Sequence, residues 1–245
     1  MDRVLIFIPT YNESENVRKI FQQIKHLHLD ADILFLDDNS PDGTGEIIDK
    51  IVAANSDTFV IHRRGKLGIG SAHLEGINWS YQCHYEVLIT MDCDFTHSPD
   101  CILDFLNNSN GYDIVVGSRY MRKGSLDDWN LFRKTLTHLG HFLTHKLLNM
   151  PYDASGAFRL YRLHQIPREI FELVTSHGYS FFFESLLILH INKYSIHEIP
   201  IDLPARTYGH SKMAWKDAWA SLWYLFVIFK RRLFNKKSLL LHGNN

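Results

Sequence analysis

Cysteine is scarce in this chain: three in 245 residues, at positions 83, 93 and 101, with no CxxC pair among them. So sparse and odd a set excludes a disulfide-stapled scaffold and points to a reducing compartment. An excess of either charge is missing too. Lys and Arg number 26 against 27 Asp and Glu, a net charge of −1, so there is no basic field to hold nucleic acid. No apolar run approaches the ~20 residues of a membrane-spanning helix. The nearest, residues 218–229, is broken by Ser221 and followed by Lys230-Arg231-Arg232. The apolar opening, residues 4–8, is too short for a signal peptide and lacks a cleavage pattern, so it reads as a first strand.

Several motifs are absent as well. There is no G-x-x-x-x-G-K-[ST] phosphate loop, and Gly68-Ile69-Gly70 meets His73 where a dinucleotide fingerprint needs its third glycine. No HExxH occurs, although His138, His141 and His145 share one stripe of a helix; an ordinary polar face accounts for them. No G-x-S-x-G elbow and no partnered cysteine suggest covalent catalysis. Nor is there a Gly/Ser- or Pro-rich linker, a repeat or a low-complexity tract. The expected organisation is one large domain over 1–213 and a C-terminal helix with a basic tail over 214–245.

What is present is alternation. Short apolar strand-like runs at 4–8, 33–36, 59–61, 87–91 and 114–116 are separated by helical periodicity, as in Val17, Ile20, Phe21 and Ile24, or Ile47, Ile48, Ile51 and Val52. Asn12 and Glu15 have capping-box spacing before the first helix. Further on, a long helix is expected over 131–149, strands near 158–161 and 196–201 with two helices between them, then a polar loop and a last helix. The pattern predicts an α/β fold with a mostly parallel sheet and helices on both faces. In such sheets ligands bind where strands end, and there the polar clusters lie: Pro9-Thr10-Tyr11-Asn12-Glu13, Asp37-Asp38-Asn39-Ser40, Asp92-Cys93-Asp94 and Gly117-Ser118-Arg119.

Asp92 and Asp94, two apart and directly after a strand, can turn toward one divalent cation. Mg²⁺ and Mn²⁺ take oxygen ligands shared between carboxylates and phosphates. Spacing alone does not separate them from chance, since Asp30-Ala31-Asp32 has it too; the position after a strand does. Asp38 suits a ribose or base edge, or equally the cap of the next helix. With no glycine cradle, phosphates must be met by cations, and Arg119, Arg133, Arg206 and Lys212 stand at strand ends, at a helix start and in the polar loop.

Taken together, three segments resemble dolichol-phosphate (polyprenol-phosphate) mannosyltransferases of glycosyltransferase family 2. They are Ile8-Pro9-Thr10-Tyr11-Asn12-Glu13, Asp37-Asp38-Asn39-Ser40-Pro41-Asp42-Gly43-Thr44 and Asp92-Cys93-Asp94-Phe95-Thr96-His97-Ser98-Pro99. Gly117-Ser118-Arg119-Tyr120, Gly156-Ala157-Phe158-Arg159 and Arg206-Thr207-Tyr208-Gly209-His210-Ser211-Lys212 extend the resemblance over about residues 4–213. It implies a GT-A fold and metal-dependent, inverting transfer of mannose from GDP-mannose to a polyprenyl or dolichyl phosphate. It implies that Pro9, Tyr11, Glu13, Leu36 and Asp38 hold the nucleoside and that Asp92, Cys93 and Asp94 meet the diphosphate. Asp92, Asp94 and Thr96 would surround Mg²⁺ or Mn²⁺, and Arg119, Arg133, Arg206 and Lys212 would bind phosphates. Cys93, Thr96, Lys123-Gly124 and Phe183 depart from the family's usual residues. A transferase using a UDP-sugar such as UDP-glucose, and a non-catalytic nucleotide-sugar-binding protein, are the alternatives.

Trp215, Trp219, Trp223 and Phe226 fall on one stripe of the last helix, followed by Lys230, Arg231, Arg232, Lys236 and Lys237. Interfacial aromatics beside a basic cluster suit a membrane surface or a membrane-anchoring subunit; the competing expectation is a helix packed on the core. The expected location is peripheral, at the cytoplasmic face of a membrane.

Overall fold

The computed structural model describes residues 2–122, 124–126, 129, 131–204 and 215–241, with 132 and 133 described by backbone alone. The apolar runs form strands β1 (Val4–Thr10), β2 (Ala31–Asp37), β3 (Thr58–His62), β4 (Val87–Thr90), β5 (Ile114–Ser118), β6 (Arg159–Arg162) and β7 (Ile196–Pro200). The helices are α1 (Val17–His26), α2 (Thr44–Ala54), α3 (Ile69–Gln82), α4 (Cys101–Asn107), α5 (Leu131–Leu148), α6 (Glu169–Glu172), α7 (Phe181–Ile191) and α8 (Trp215–Phe234). All seven strands join one sheet in the order β3-β2-β1-β4-β6-β5-β7.

Alternate residues of each strand point to opposite faces, and both faces are covered. Leu5, Phe7, Leu34 and Leu36 enter one apolar core, and Ile6, Ile8, Ile33 and Phe35 the other. Every pairing is parallel except those of β6, which runs antiparallel to both β4 and β5. That exception shapes the site. The first residue of β6, Arg159, pairs with the last of β4, Thr90, so the segment entering β6 arrives at the edge where the parallel strands end.

The expected capping box does not form. Asn12 adopts a left-handed φ of 56°, and α1 begins only at Val17, after the Glu13 carbonyl accepts the N–H groups of Asn16 and Val17, each at 2.9 Å. Capping chemistry appears instead at α2, where Asp42 accepts from the Thr44 N–H (3.1 Å) and hydroxyl (2.6 Å) and from the Ser14 N–H (3.1 Å). The glycines that fail the dinucleotide pattern serve close packing: a Cβ on Gly70 would lie 2.7 Å from the Gly178 carbonyl oxygen.

α7 is apolar all round and buried, as such helices are, yet it carries Glu184 at 0% exposure. That carboxylate accepts from the N–H and hydroxyl groups of Thr175 and Ser176. It also accepts from the Tyr224 hydroxyl (2.8 Å) and Arg231 (3.2 Å), both on α8. Leu225 and Ile228 of α8 are buried in the core, while the tryptophan stripe faces outward. The last helix therefore packs on the core with one face and leaves the other open.

Candidate active site

A cleft of about 220 Å³ opens at the carboxyl ends of β1, β2, β4 and β5. Pro9, Tyr11, Glu13, Asp38, Asp92, Cys93, Asp94, Thr96 and Arg119, expected from the sequence, line it together. Leu36 does not belong with them: its side chain is fully buried in the core, because residue 36 points into the sheet's face rather than off its end. Arg206 and Lys212 lie outside the described residues, as does the side chain of Arg133.

The acidic turn after β4 is built tightly. Phe95 takes a left-handed φ of 61°, which folds the chain back on itself. Asp94, 3% exposed, accepts from the Thr96 N–H (3.1 Å) and hydroxyl (2.5 Å). The Thr96 hydroxyl thus spends its proton on orienting Asp94. The Asp92 side chain is 34% exposed and its backbone N–H donates to His97 Nδ1 at 3.0 Å. The donor set is two carboxylates with an adjacent hydroxyl, all oxygen, which suits Mg²⁺ or Mn²⁺. Among the described residues no group of three or more His, Cys, Asp or Glu side chains could enclose an ion. A cation here would have to complete its shell with phosphate oxygens and water.

Two buried ion pairs flank the turn. Arg63, directly after β3, reaches Asp38 with Nε and Nη2, and its Nη1 donates to the Ser71 hydroxyl at 2.7 Å. Burial pushes the Asp38 carboxyl up and outweighs the downward pull of Arg63. On the other side Arg119 forks onto Asp153 through Nε (2.7 Å) and Nη2 (2.9 Å), and Nη2 also meets the Ser155 hydroxyl at 3.0 Å. Burial alone would raise the Asp153 carboxyl, but the Arg119 guanidinium and its hydrogen bonds hold it below the usual carboxylate range. Glu198 Oε1 accepts the Asp153 N–H at 2.7 Å, and burial raises that carboxyl. Arg119 therefore lines the cleft as one half of a pre-formed pair.

Glu13 accepts from Asn16 Nδ2 at 2.6 Å. Asp37 faces inward, taking the Thr10 and Ser40 hydroxyls, and so shapes the loop rather than the cleft. Lys66, unexpected from the sequence, sits with Nζ 4.7 Å from the Tyr11 ring centroid at the cleft wall. Arg63 was also missed, although its place directly after a strand is the signal that marked Asp38 and Asp92. Tyr179, Phe182 and residues 155–157 also line the cleft. Their nearness depends on long-range pairing, which carries no local signal. Of the histidine stripe, His141 stacks on Tyr120 with ring centroids 3.8 Å apart, and burial lowers its pKa.

The family model described as glycosyl transferase family 2 matches residues 5–167. A polyprenol monophosphomannose synthase of Mycolicibacterium smegmatis is 35% identical over 215 residues, covering 86% of this chain and 81% of that protein. An undecaprenyl-phosphate mannosyltransferase of Micrococcus luteus is 32% identical over 213 residues, covering 86% of this chain and 88% of its own length. Among solved structures, glucosyl-3-phosphoglycerate synthase from Mycobacterium tuberculosis, in complex with Mn²⁺, UDP and phosphoglyceric acid, superposes with a TM-score of 0.65. It is 18% identical and covers 95% of this chain and 79% of that one. A mannosyltransferase from Pyrobaculum calidifontis, in complex with GDP-Man and Mn²⁺, gives a TM-score of 0.54 at 14% identity, covering 97% and 72%. The chain belongs to glycosyl transferase family 2 and is a glycosyltransferase with a GT-A-like fold.

Proposed function

We propose that this family 2 glycosyltransferase moves mannose from GDP-mannose to a polyprenyl phosphate, inverting the anomeric carbon. The observation that carries the reading is the likeness to two relatives whose names both specify mannosyl chemistry on a polyprenyl carrier, each aligned over 86% of this chain. Pro9, Tyr11, Glu13 and Asp38, which line the cleft, would hold the nucleoside. Asp92 and Asp94 would hold Mg²⁺ or Mn²⁺, with Thr96 orienting Asp94; both solved neighbours named above contain Mn²⁺. When bound, such an ion would offset the charge that builds on the departing nucleoside diphosphate.

An acceptor phosphate monoester has a second pKa of about 6 and is already an anion at neutral pH. It needs positioning and charge shielding more than deprotonation. Arg119, together with Arg133, Arg206 and Lys212 by family resemblance, would hold donor and acceptor phosphates. Attack by the phosphate oxygen opposite the leaving diphosphate inverts the anomeric centre. Asp153 keeps Arg119 in place for this through its two-point contact.

The acceptor brings the enzyme to a membrane. No helix among the described residues is long and apolar enough to cross one. Trp215, Trp219 and Trp223 are 66%, 68% and 72% exposed, and Lys230, Lys236 and Lys237, further along the chain, are exposed too. In this reading residues 214–245 would serve as a peripheral, cytoplasmic-face contact with the bilayer or with an anchoring subunit, and residues 1–213 would carry the chemistry. The test offers labelled GDP-mannose, UDP-glucose and other nucleotide sugars to polyprenyl phosphates with Mg²⁺ or Mn²⁺ and identifies the lipid product. Mannosyl phosphoryl polyprenol formed from GDP-mannose supports the reading. Transfer only from a UDP-sugar, or tight donor binding with no lipid product, overturns it.

A further inference from the structure

His97 has no role in the function described so far, yet it is 3% exposed and lines the cleft. Its Nδ1 accepts the Asp92 backbone N–H at 3.0 Å, so that nitrogen carries the lone pair and the ring proton sits on Nε2. Nδ1 also lies 3.8 Å from Asp92 Oδ2, too far for a hydrogen bond, so the contact does not consume that oxygen. Behind the ring, Phe158 packs with its centroid 4.9 Å away, and Phe158 itself rests on Phe105 at 4.3 Å. The left-handed turn at Phe95 brings residue 97 back to residue 92.

We infer that His97 is a positioning residue for the metal-binding carboxylates, pinning the backbone of Asp92 while Thr96 pins the side chain of Asp94. Beyond β4 the Met91 N–H still donates to the Phe7 carbonyl at 3.1 Å, and the Asp92 N–H, one residue on, leaves the sheet and takes the His97 ring as its acceptor. Tying that N–H to a ring packed on Phe158 fixes where the carboxylate starts, as outer groups do for ligands of other metal centres. His97 is thus distinguished from the nearby buried His73, which sits among Phe7, Phe181 and Phe182 and whose pKa burial lowers to about 3.

The inference rests on Asp92 and Asp94 being metal ligands, and the experiment separates the two. The free-ion EPR signal of Mn²⁺ is titrated with GDP-saturated protein against a GDP-only control. His97→Phe keeps the ring against Phe158 but removes the acceptor; His97→Asn keeps an acceptor near the Nδ1 position but removes the ring. His97→Gln, a second loss of that acceptor, guards against misfolding of either. Mn²⁺ affinity should fall about 10- to 100-fold in His97→Phe and His97→Gln and return most of the way toward wild type in His97→Asn. A purely structural role predicts the reverse order, with Asn worst, and that order overturns the inference, as does wild-type affinity in His97→Phe. Wild-type protein that binds no Mn²⁺ beyond the GDP control removes the metal reading and the inference with it.

Discussion

Along the carboxyl edge of the sheet, polar side chains hold one another before any ligand arrives, whereas α8 and its neighbour α5 leave large apolar side chains in the open. In the cleft, Arg63 closes on Asp38, Arg119 on Asp153, and Thr96 and His97 on the acidic turn. On the helices, Leu139 and Phe142 of α5 are 50% and 54% exposed, and Trp215, Trp219 and Trp223 of α8 more so. Arg232 of α8 donates to the Leu147 carbonyl of α5 at 2.9 Å, joining the two. The first arrangement is already paired within the protein, while the second leaves apolar surface uncovered. Buried charges must be paired, and here they pair with one another; exposed apolar patches mark interaction surfaces. On the proposed function the first region receives the nucleotide sugar and the second meets a lipid surface.

Breaking the cleft side should cost most. Arg119→Ala leaves Asp153 as an uncompensated buried carboxylate, and chemical denaturation should register a loss of about 3–5 kcal/mol. An unchanged midpoint would mean that the pair contributes nothing to the fold.

Acid should act on the same pair more gently. The folded Asp153 carboxyl lies below its unfolded value near 3.8, so its stabilisation is present above that value and fades as pH falls through the folded one. In Arg119→Ala, burial acts without the guanidinium, so acid unfolding should begin at higher pH than in wild type. Superimposable acid transitions would contradict that.

The smallest stability effect belongs to the open face. Trp219→Ser with Trp223→Ser removes two exposed rings, so the melting temperature should barely move, within about 0.5 kcal/mol. Co-sedimentation with anionic liposomes should nevertheless be lost. Salt should weaken wild-type binding only in part, since screening removes the lysine and arginine attraction but not apolar insertion. A large fall in melting temperature with unaltered liposome binding would make the stripe a packing surface and erase the contrast.

Most of the fold was legible because its signals are local. Apolar runs and helical periodicity gave the strands and helices, and carboxylates directly after strands marked the cleft. The tryptophan stripe was equally plain at i, i+4 and i+8. What was not legible depends on distant partners. Nothing in a four-residue strand announces that β6 runs antiparallel, yet this brings residues 155–157 to the site. Arg159 is fully buried, and its guanidinium donates to the carbonyls of Ala154 and Phe182 and to the hydroxyls of Tyr161 and Ser185. Glu184 is a charge in an apolar helix, and its partners Tyr224 and Arg231 lie forty residues or more away in the chain. The Asn12–Glu15 box does not close because the Asn12 N–H that Glu15 would accept goes instead to Ser40, from another loop, at 2.9 Å.

The central claim, that the acidic turn is where sugar transfer from the nucleotide is driven, meets its most direct test in Asp94→Asn. The substitution keeps shape and removes one charge, so the melting curve should stay close to wild type. Transfer of labelled mannose from GDP-mannose to polyprenyl phosphate should fall by about a thousandfold or more, roughly 4 kcal/mol of lost transition-state stabilisation. Near-normal transfer by the folded variant, or wild-type transfer undiminished in excess EDTA, would contradict the account.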